Sequence, residues 1–471
     1  MAIFAGLFLL PVISAVVYRD DDSNNLIIYL ALLAGLFLSL AAYVNNVSID
    51  LFDVIDNVKF GFFVDSLGIF FAVTIFILWS ITFMYSREYF GKDNDNKRFY
   101  IFFFVSLIST MGILFSRNLI VLYTFYEALT LGTYPLVIYL QKEKSYTSGR
   151  KYLIYSFLGA SLILIGILIL LVNGVDINFY PERLMENIGS IKMLDLAYLM
   201  MFLGFGVKAA VVPFHGWLPK AMVAPTPVSA LLHAVAVVKM AVFSIMRVTF
   251  FVFGFELVRK FHSTTYVTYL VLLTILLGSL IAIHHNHLKM RLAYSTISQL
   301  GYILLGILML SPDGFKGSLL HFVNHGVIKI NLFFIAGIIH HEVGSYQIDK
   351  LKGLGKKMPD IFICFLISAI SLVGIPPTNG FVSKWFLGIG ALGIGKVSYV
   401  LVLLLSAFLT ASYILPIPIT ALFFENKHEE EISLKGRFRF SVYILTGAII
   451  VLGIYPNPFI GFVDKIVALV F

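Results

Sequence analysis

Long apolar runs alternate with short polar loops along the whole chain. Since about 20 predominantly apolar residues form one transmembrane helix, runs of sufficient length recur about fourteen times. They lie near 2–18, 25–45, 65–85, 98–116, 118–141, 150–172, 193–222, 225–253, 265–285, 291–311, 316–341, 359–394, 397–424 and 438–456. The tail from 459 onward is too short to span and is expected at the membrane interface. The pattern predicts an all-α polytopic membrane protein with about fourteen transmembrane helices.

The composition supports the same class. Of 471 residues, 59% are hydrophobic and 13% are charged, whereas a soluble domain carries about 25% charged residues. The mean hydropathy is +0.93. The net charge of +8 is spread over basic residues between apolar runs, which indicates loop lysines rather than a nucleic-acid surface. The single cysteine, Cys364, excludes an intrachain disulfide and a cysteine-bound cluster.

Basic residues are concentrated on one set of loops. The odd-numbered loops hold the basic stretches near 87–98, 142–151, 350–357 and 427–439, and Lys220, Lys289 and Arg291 belong to the same set. Because cytoplasmic loops are enriched in Lys and Arg, the odd loops are predicted in the cytoplasm. Both termini are then expected on the outer side of a cell (inner or plasma) membrane.

The loop from 46 to 64 differs from the others. It alternates apolar and polar residues and carries Asp50, Asp53 and Asp56. This pattern predicts either a small external β-hairpin or an irregular loop, and the sequence does not decide between them.

The stretch from 204 to 247 combines charge with interrupted helices. It contains Lys208, His215, Lys220, His233, Lys239 and Arg247, together with Pro213, Pro219, Pro225 and Pro227. A charged side chain at the bilayer centre costs roughly 2.5–3.5 kcal/mol on insertion scales, so it usually faces a bundle interior or a wet cavity. Proline frees backbone carbonyls that lipid cannot satisfy. Together these features predict an ion path.

Few other charges lie within apolar runs. Glu127 is the acid that stands clearly in mid-segment, and Lys329 and Lys384 are further bases. His321, His325 and Lys329 are spaced i, i+4, i+8 and therefore share one helix face. His233 and Lys239 are six residues apart, about 120° around a helix, and can still line one cavity.

Structural explanations compete with the functional one. A single buried histidine can be a simple hydrogen-bonding residue, and Arg247, near a helix end, is expected to extend its head to the interface. Glu127 is expected within a few ångströms of Lys208, because an unpaired charge in the bilayer is costly. The histidines at 284–287 and 340–341 are expected at the interface. A zinc site from His321 and His325 is rejected, since no carboxylate or cysteine accompanies them.

The residue types in the apolar runs suit proton transfer. Burial penalises the charged form of lysine, and histidine changes protonation state near neutral pH. Proline breaks admit water to the helix interior. The predicted translocation residues are Glu127, Lys208, His233, Lys239, His321, His325, Lys329 and Lys384, with helix breaks at Pro213, Pro376 and Pro377. No phosphate loop, haem-ligand pair or nucleotide fingerprint is present, and no cofactor or metal is expected.

Several of these motifs are recognisable. They are FYEALTLGTYPLVIY around Glu127, GVKAAVVPFHGWLPKAMVAPTPVSALLHA from Gly206, LKMRLAYSTISQLGYILLG from Leu288, HFVNHGVIKINLFF from His321 and GIPPTNGFVSKWFL from Gly374. The chain resembles the antiporter-like subunits shared by respiratory complex I, Mrp-type cation/proton antiporters and membrane-bound hydrogenase complexes. The motifs run from the fifth to the twelfth segment, so the resemblance covers most of the chain.

The resemblance implies a fold and an ordered ion path. It implies fourteen transmembrane helices, two inverted five-helix repeats and discontinuous seventh and twelfth helices. It places Glu127 with Lys208 in one half-channel, Lys329 as the connecting group and Lys384 towards the other exit. His233 and Lys239 would then lie near the middle.

Three positions depart from the family pattern. His287 stands where an aspartate is usual, Met290 stands where a basic residue is common, and Lys220 stands where the family usually has an acid. These are loop positions, so they bear on a surface or partner contact.

The domain organisation expected from these features has four parts. They are an N-terminal three-helix unit with the external loop (1–97), a first half-channel repeat (98–253), a second half-channel repeat (265–424) and a last helix with tail (425–471).

The favoured function is a proton-translocating subunit of a larger membrane complex, coupled to redox chemistry in partner subunits. On this hypothesis the chain is the translocation module and has no catalytic cofactor site. Its partners would be other membrane subunits of a hydrogenase-like, complex I-like or Mrp-like complex, with sodium left open as a second ion. The alternative is a subunit of a non-redox Mrp-type sodium/proton antiporter. A quinone-reducing catalytic subunit is disfavoured because no cofactor motif is present.

Overall fold

The computed structural model describes residues 2–17, 22–55, 58–91, 96–180, 190–425 and 436–471. Asp56 and the basic loop stretches at 92–95 and 426–435 lie outside the described residues. The described part of the chain is mostly helical, as the apolar runs predict.

The first half of the chain forms eleven α-helices and two strands within its described part. They are α1 (Ala2–Val17), α2 (Asp22–Val44), β1 (Ser48–Ile55), β2 (Val58–Phe63), α3 (Ser66–Phe90), α4 (Lys97–Leu114), α5 (Leu119–Val137), α6 (Glu143–Val172), α7 (Ile191–Lys208), α8 (Trp217–Lys220), α9 (Thr226–Ala234), α10 (Val237–Met246) and α11 (Phe255–Val258). A π-helical segment, Arg247–Phe253, continues α10.

The second half continues with further helices. They are α12 (His262–His284), α13 (Leu288–Leu308), α14 (Pro312–Val343), α15 (Pro359–Val373), α16 (Asn379–Gly393), α17 (Val397–Ile414), α18 (Pro416–Phe423), α19 (Gly436–Ile454) and α20 (Asn457–Val467).

The loop between α2 and α3 forms the β-hairpin that the sequence left open. β1 and β2 pair antiparallel, with Ser48 opposite Phe63 and two irregularities in the register. Arg117 pairs with Asp50 of β1, and the rings of Phe52 and Phe60 stack with centroids 5.0 Å apart. The hairpin alternative is confirmed, so the expectation of a purely α-helical chain is corrected by this one small sheet.

The membrane class is confirmed by the helices themselves. Within the described residues, eight helices are long and apolar enough to cross a membrane, and the pair α19–α20 would make a ninth if counted as one span. Other predicted runs are divided by breaks into shorter helices: the seventh run contains α7 and α8, and the twelfth contains α15 and α16. The chain turns by 72° between α19 and α20, so α20 departs from the direction of the preceding helix.

Helix α14 is the centre of the bundle. It runs for 32 residues, and its most apolar window is completely buried. It packs against α9, α13, α16 and α19. Because α14 carries His321, His325 and Lys329, the fold places the predicted histidine–lysine face in the interior rather than against lipid.

Candidate functional site

The seventh apolar run is broken earlier than predicted. Helix α7 ends at Lys208, and Ala210 adopts a left-handed conformation with φ of 57° before Pro213. The indole Nε1 of Trp217 donates to the carbonyl of Val207 at 2.8 Å. The amide of Val212 donates to Oγ1 of Thr274 at 3.0 Å. The break therefore satisfies its freed backbone groups within the protein, as a membrane interior requires.

The twelfth run is broken where the prolines predict. Helix α15 ends at Val373, Gly374 follows with φ of 93°, and α16 begins after Pro376 and Pro377. The ammonium Nζ of Lys384 donates to the carbonyls of Leu372 at 2.7 Å and Val373 at 2.9 Å. A predicted translocation residue thus caps the end of the interrupted helix.

The eighth run forms one candidate membrane span, Thr226–Phe253, with an interruption inside it. Helix α9 ends at Ala234 and α10 begins at Val237, so the break separates His233 from Lys239. Gly326 of α14 faces it, and a Cβ there would lie 3.2 Å from the carbonyl oxygen of Ala234. The residues at the break include neither proline nor glycine, so no local signal of it exists in the chain.

Glu127 and Lys208 form the predicted ion pair. Nζ of Lys208 lies 3.1 Å from Oε1 of Glu127 and 2.5 Å from Oγ1 of Thr130. The same nitrogen lies 3.6 Å from the ring centroid of Tyr126 and donates to that residue's carbonyl at 3.0 Å. The lysine side chain is 2% exposed and the glutamate 20%. The expectation of a close pair is confirmed, and its carboxylate reaches the edge of the bundle.

Arg247 does not extend to the interface, and that expectation is corrected. Its side chain is completely buried and forms a bidentate pair with Asp65, with nitrogen–oxygen distances of 2.5 and 2.6 Å. Four phenylalanine rings surround the guanidinium: those of Phe63, Phe179, Phe243 and Phe251. The sequence argument missed Asp65 because it stands at the start of an apolar run, where it caps α3 by accepting from the amide of Gly68.

The remaining predicted residues gather in the interior. His325 lies within electrostatic range of Lys239, Lys329, His321 and His233. The rings of His321 and His325 stack with centroids 5.8 Å apart, and His321 is also within range of Lys384. Six of the eight predicted residues therefore form one connected group, in which each side chain is within electrostatic range of at least one other. Glu127 and Lys208 lie outside this group and make their contacts with Tyr126 and Thr130.

Two of the histidines have an unusual polar environment. Both ring nitrogens of His233 and both of His325 are buried without a hydrogen-bond partner among the described residues. His321 differs, since Nδ1 lies 2.9 Å from Oγ of Ser383 and Nε2 lies 3.1 Å from Oε1 of Gln299. Buried polar atoms normally find partners, so the two unsatisfied imidazoles mark the interior as a polar region.

The buried lysines share one kind of contact, a hydrogen bond to a backbone carbonyl of another element. Lys239 donates to Phe322 at 2.8 Å, and Lys329 donates to Leu292 at 3.0 Å and to the hydroxyl of Ser295. Across the described residues, Lys239, Lys329 and Lys384 have no carboxylate in ion-pair distance; the paired lysines there include Lys59, Lys208 and Lys316. A carbonyl accepts from either protonation state of an amine, so these lysines are held in place without being fixed as charged.

Lys289 is a buried lysine that the sequence argument placed in a loop. It is 2% exposed, and its Nζ donates to the carbonyl of Ala224 at 2.6 Å and lies 5.3 Å from the ring centroid of Tyr346. It stands one turn before Leu292, whose carbonyl accepts from Lys329. Its position in the second residue of α13 made it appear exposed.

The histidines at the helix ends make ring and capping contacts. The ring of His340 stacks on Tyr346 with centroids 4.0 Å apart, and that of His285 stacks on Tyr294 at 4.8 Å. His287 caps α13 by accepting from the amide of Met290. Burial and the charge of Lys289 lower the pKa of the His287 imidazole. At the position where the resemblance implies an aspartate, this chain thus has a partly buried histidine.

The break before α16 leads to a stability prediction. Replacing Gly374 by alanine places a Cβ 2.7 Å from Cδ of Lys384 at a φ of 93°, where a side chain is strained. A left-handed conformation costs a non-glycine residue about 1–2 kcal/mol, so we expect Gly374→Ala to lower the midpoint of thermal unfolding. Gly388→Ala is the matched control, because a Cβ there meets nothing within 4 Å. Equal midpoints for the two variants would contradict the prediction.

Fold and site together define a class of protein. It is a polytopic helical membrane protein in which interrupted helices hold lysines and histidines in the interior. The family model described as "NADH:quinone oxidoreductase/Mrp antiporter, TM" matches residues 116–410. The chain belongs to this family, and the resemblance deduced from the motifs is confirmed.

Individual relatives support the assignment. The chain is 34% identical over 351 residues to a sodium/proton antiporter subunit of Alkalihalophilus pseudofirmus, and the match covers 70% of this chain and 42% of that protein. It is 34% identical over 322 residues to an NADH-quinone oxidoreductase subunit of Desulforudis audaxviator, covering 67% and 63%. The chain therefore spans less than half the length of the antiporter protein it matches.

A solved structure shows the same fold. A chain of the membrane-bound sulfane sulfur reductase, an archaeal respiratory membrane complex, superposes with a TM-score of 0.87 at 21% identity. The match covers 100% of this chain and 98% of the other.

Proposed function

We propose that the chain is a proton-translocating, antiporter-like subunit of a multisubunit membrane complex, coupled to redox chemistry in partner subunits. The observation that carries the proposal is the connected group of His233, Lys239, His321, His325, Lys329 and Lys384 inside the bundle. Each is a group that can gain and lose a proton, and together they extend between two interrupted helices. The chain acts as the translocation module, and the redox chemistry belongs to its partners.

Water completes the proposed path. The unsatisfied nitrogens of His233 and His325 need hydrogen-bond partners, and the breaks beside them provide polar backbone that a water chain can use. Protons enter through Glu127 and Lys208, pass the central histidines and lysines, and leave by way of Lys384. Because Lys239, Lys329 and Lys384 bind carbonyls rather than carboxylates, each can release its proton to a neighbouring water.

The finer architecture belongs to the same proposal. The interrupted helices supplement the long ones to give fourteen spans, with inverted repeats in 98–253 and 265–424, preceded by 1–97 and followed by 425–471. The pairing of a break with a lysine supports two repeats, since Lys208 ends α7 and Lys384 follows α15. The complex lies in a cell membrane with the odd loops cytoplasmic and both termini outside.

A second candidate function is supported by a specific relative. The match to a protein named as part of a sodium/proton antiporter supports a non-redox Mrp-type antiporter, in which the same groups exchange protons against sodium. The two candidates differ in their dependence on ions. Proton transport that persists without sodium and requires electron transfer supports the redox-coupled function.

The proposed entrance is tested by Glu127→Gln in the native complex reconstituted into liposomes. Glutamine keeps the shape but removes the charge that pairs with Lys208, so we expect proton uptake, followed with a pH-sensitive dye, to fall roughly tenfold. A tenfold loss is smaller than the roughly 10²–10⁴-fold loss expected when a proton-transfer group is removed. The smaller value is expected because Glu127 is partly exposed and water can take over part of its role.

Glu143→Gln is the matched control, since Glu143 lies exposed at the start of α6. It should transport protons like the unaltered complex. Normal uptake in Glu127→Gln would remove Glu127 from the path.

A further inference from the structure

The pair of Asp65 and Arg247 lies outside the proposed path, yet it is positioned beside it. On α10 and its π-helical continuation, Lys239, Phe243 and Arg247 are spaced i, i+4, i+8 and share one helix face. One end of this face therefore carries Lys239, a member of the connected group, and the other end carries the buried Arg247.

A cavity lined by both polar and apolar side chains lies on the far side of the pair. It has a volume of about 460 Å³ and is bounded by the end of α2, the β-hairpin, the N-terminus of α3, the π-helical segment and the C-terminal end of α20. Asp65 lines this cavity, together with polar side chains that include Tyr43, Asn46, Ser48 and Ser66. The hydroxyls of Tyr43 and Ser66 are 3.1 Å apart. Such a surface can hold a hydrogen-bonded group of waters.

The pair of Asp65 and Arg247 forms the floor of the cavity, and this floor carries no net charge. The carboxylate of Asp65 is 20% exposed, and it neutralises a guanidinium that is fully buried. A proton approaching the floor therefore meets paired groups rather than a positive barrier, and it meets carboxylate oxygens that can accept hydrogen bonds. The floor is open to water on one side and in contact with Phe243 on the other.

Three phenylalanine rings separate this floor from Lys239. The guanidinium carbon of Arg247 lies 5.1 Å from the ring centroid of Phe243, which lies 5.1 Å from that of Phe71. Phe71 contacts Phe322 with centroids 4.0 Å apart, and Nζ of Lys239 lies 4.3 Å from the Phe322 ring. The three rings are buried, and they come from α3, α10 and α14. A constriction of apolar rings excludes water until the rings move.

We propose that the cavity beside Asp65 is an aqueous port through which protons exchange with Lys239, and that Phe71, Phe243 and Phe322 form its gate. The port gives the centre of the path its own access to the hairpin side of the membrane, separate from the Glu127 and Lys384 ends. It rests on the proposed function in one respect, which is that Lys239 carries protons. The position of the port itself can be tested without any transport.

The chain offers a direct accessibility test. Cys364 is its single cysteine and is buried, so Cys364→Ser removes all cysteine from this chain, and modification is then measured on this chain alone. In this background Ser66→Cys reports on the cavity and Phe243→Cys reports on the gate, since loss of the ring also opens it. Ala241→Cys is the control, because Ala241 is equally buried on α10 but points away from the gate face. The probe is a membrane-impermeant quaternary-ammonium methanethiosulfonate, added to either side of sealed vesicles that contain the native complex.

We expect both Ser66→Cys and Phe243→Cys to be modified from the hairpin side only, and Ala241→Cys to remain unmodified from both sides. The proposal is overturned if Ser66→Cys is not modified, or if Phe243→Cys reacts from the opposite side or no faster than Ala241→Cys. Modification requires no proton movement, so its outcome is independent of Glu127→Gln. Normal transport in Glu127→Gln with hairpin-side modification of Phe243→Cys would support the port and remove Glu127 as the entrance.

A second measurement tests the gate. Phe243→Ala should raise the passive proton conductance of complex-containing liposomes several-fold in the absence of turnover, because the constriction is widened. Adding Lys239→Met should remove this leak, since protons from the port then find no acceptor. If Phe243→Ala does not assemble, Phe71→Leu tests the same gate with a smaller change. A leak that persists in the Lys239→Met background, or no leak in an assembled gate variant, would overturn the proposal.

Discussion

Lys329→Met is expected to reduce proton transport on the order of 10²-fold while the complex still assembles. Methionine retains roughly the volume of the lysine stem but cannot carry a proton. Lys329 is completely buried in α14, within range of both His233 and His325, so its loss removes a protonatable group from the connected group. Losses of this size are typical when a proton-transfer group is removed. The measurement is proton uptake per turnover by the native complex in liposomes.

The control for this variant is Lys396→Met, which makes the same substitution at an exposed position between α16 and α17. We expect transport by Lys396→Met to equal that of the unaltered complex. If Lys329→Met also transports normally, the connected group is a packing feature rather than a path.

Arg247→Met is expected to impair folding rather than transport alone. Removing one partner of a buried ion pair costs about 3–5 kcal/mol, because the remaining charge is left without compensation. We expect a value towards the lower end, because Asp65 is partly exposed and water can solvate its carboxylate. The expected result is a strongly reduced yield of assembled complex and a lower thermal midpoint, measured on detergent-solubilised protein.

Two further variants make this result specific. Lys59→Met breaks an exposed pair with Asp50 and should change stability by no more than about 1 kcal/mol. Combining Arg247→Met with Asp65→Asn should restore part of the stability, because no charge then remains unpaired. Full assembly of the single Arg247→Met variant would mean that the pair contributes little to folding.

The sequence predicted those parts of the site that have a local signal. Proline pairs indicated the break at α15 and α16, and mid-segment charges indicated the pair of Glu127 and Lys208. The spacing of His321, His325 and Lys329 predicted one face, and α14 buries all three. In each case the signal lies in the residue types themselves, because placing these groups against lipid would cost free energy.

Features that depend on tertiary contacts were not predictable in the same way. The break between His233 and Lys239 is stabilised by packing against Gly326 from a distant helix, and nothing in its own sequence interrupts a helix. Asp65 and Arg247 are 182 residues apart in the sequence, so neither residue indicates the other. Lys289 appeared to be a loop residue because burial of a helix terminus depends on the neighbouring loop, here the one carrying Tyr346.

The contrast between α14 and its neighbours has a mechanical consequence. An uninterrupted helix of 32 residues is a stiff rod about 48 Å long, held along most of its length by contacts on all sides. The regular helical geometry is interrupted instead after α7, α9 and α15, so bending of the bundle is expected at these three gaps. Strain applied by a neighbouring protein of the complex would therefore be absorbed at these three joints, which lie beside Lys208, His233 and Lys384. The histidines on α14 would stay fixed while the groups opposite them move. A small displacement at one of these joints would therefore change the distances between the members of the connected group without moving α14 itself.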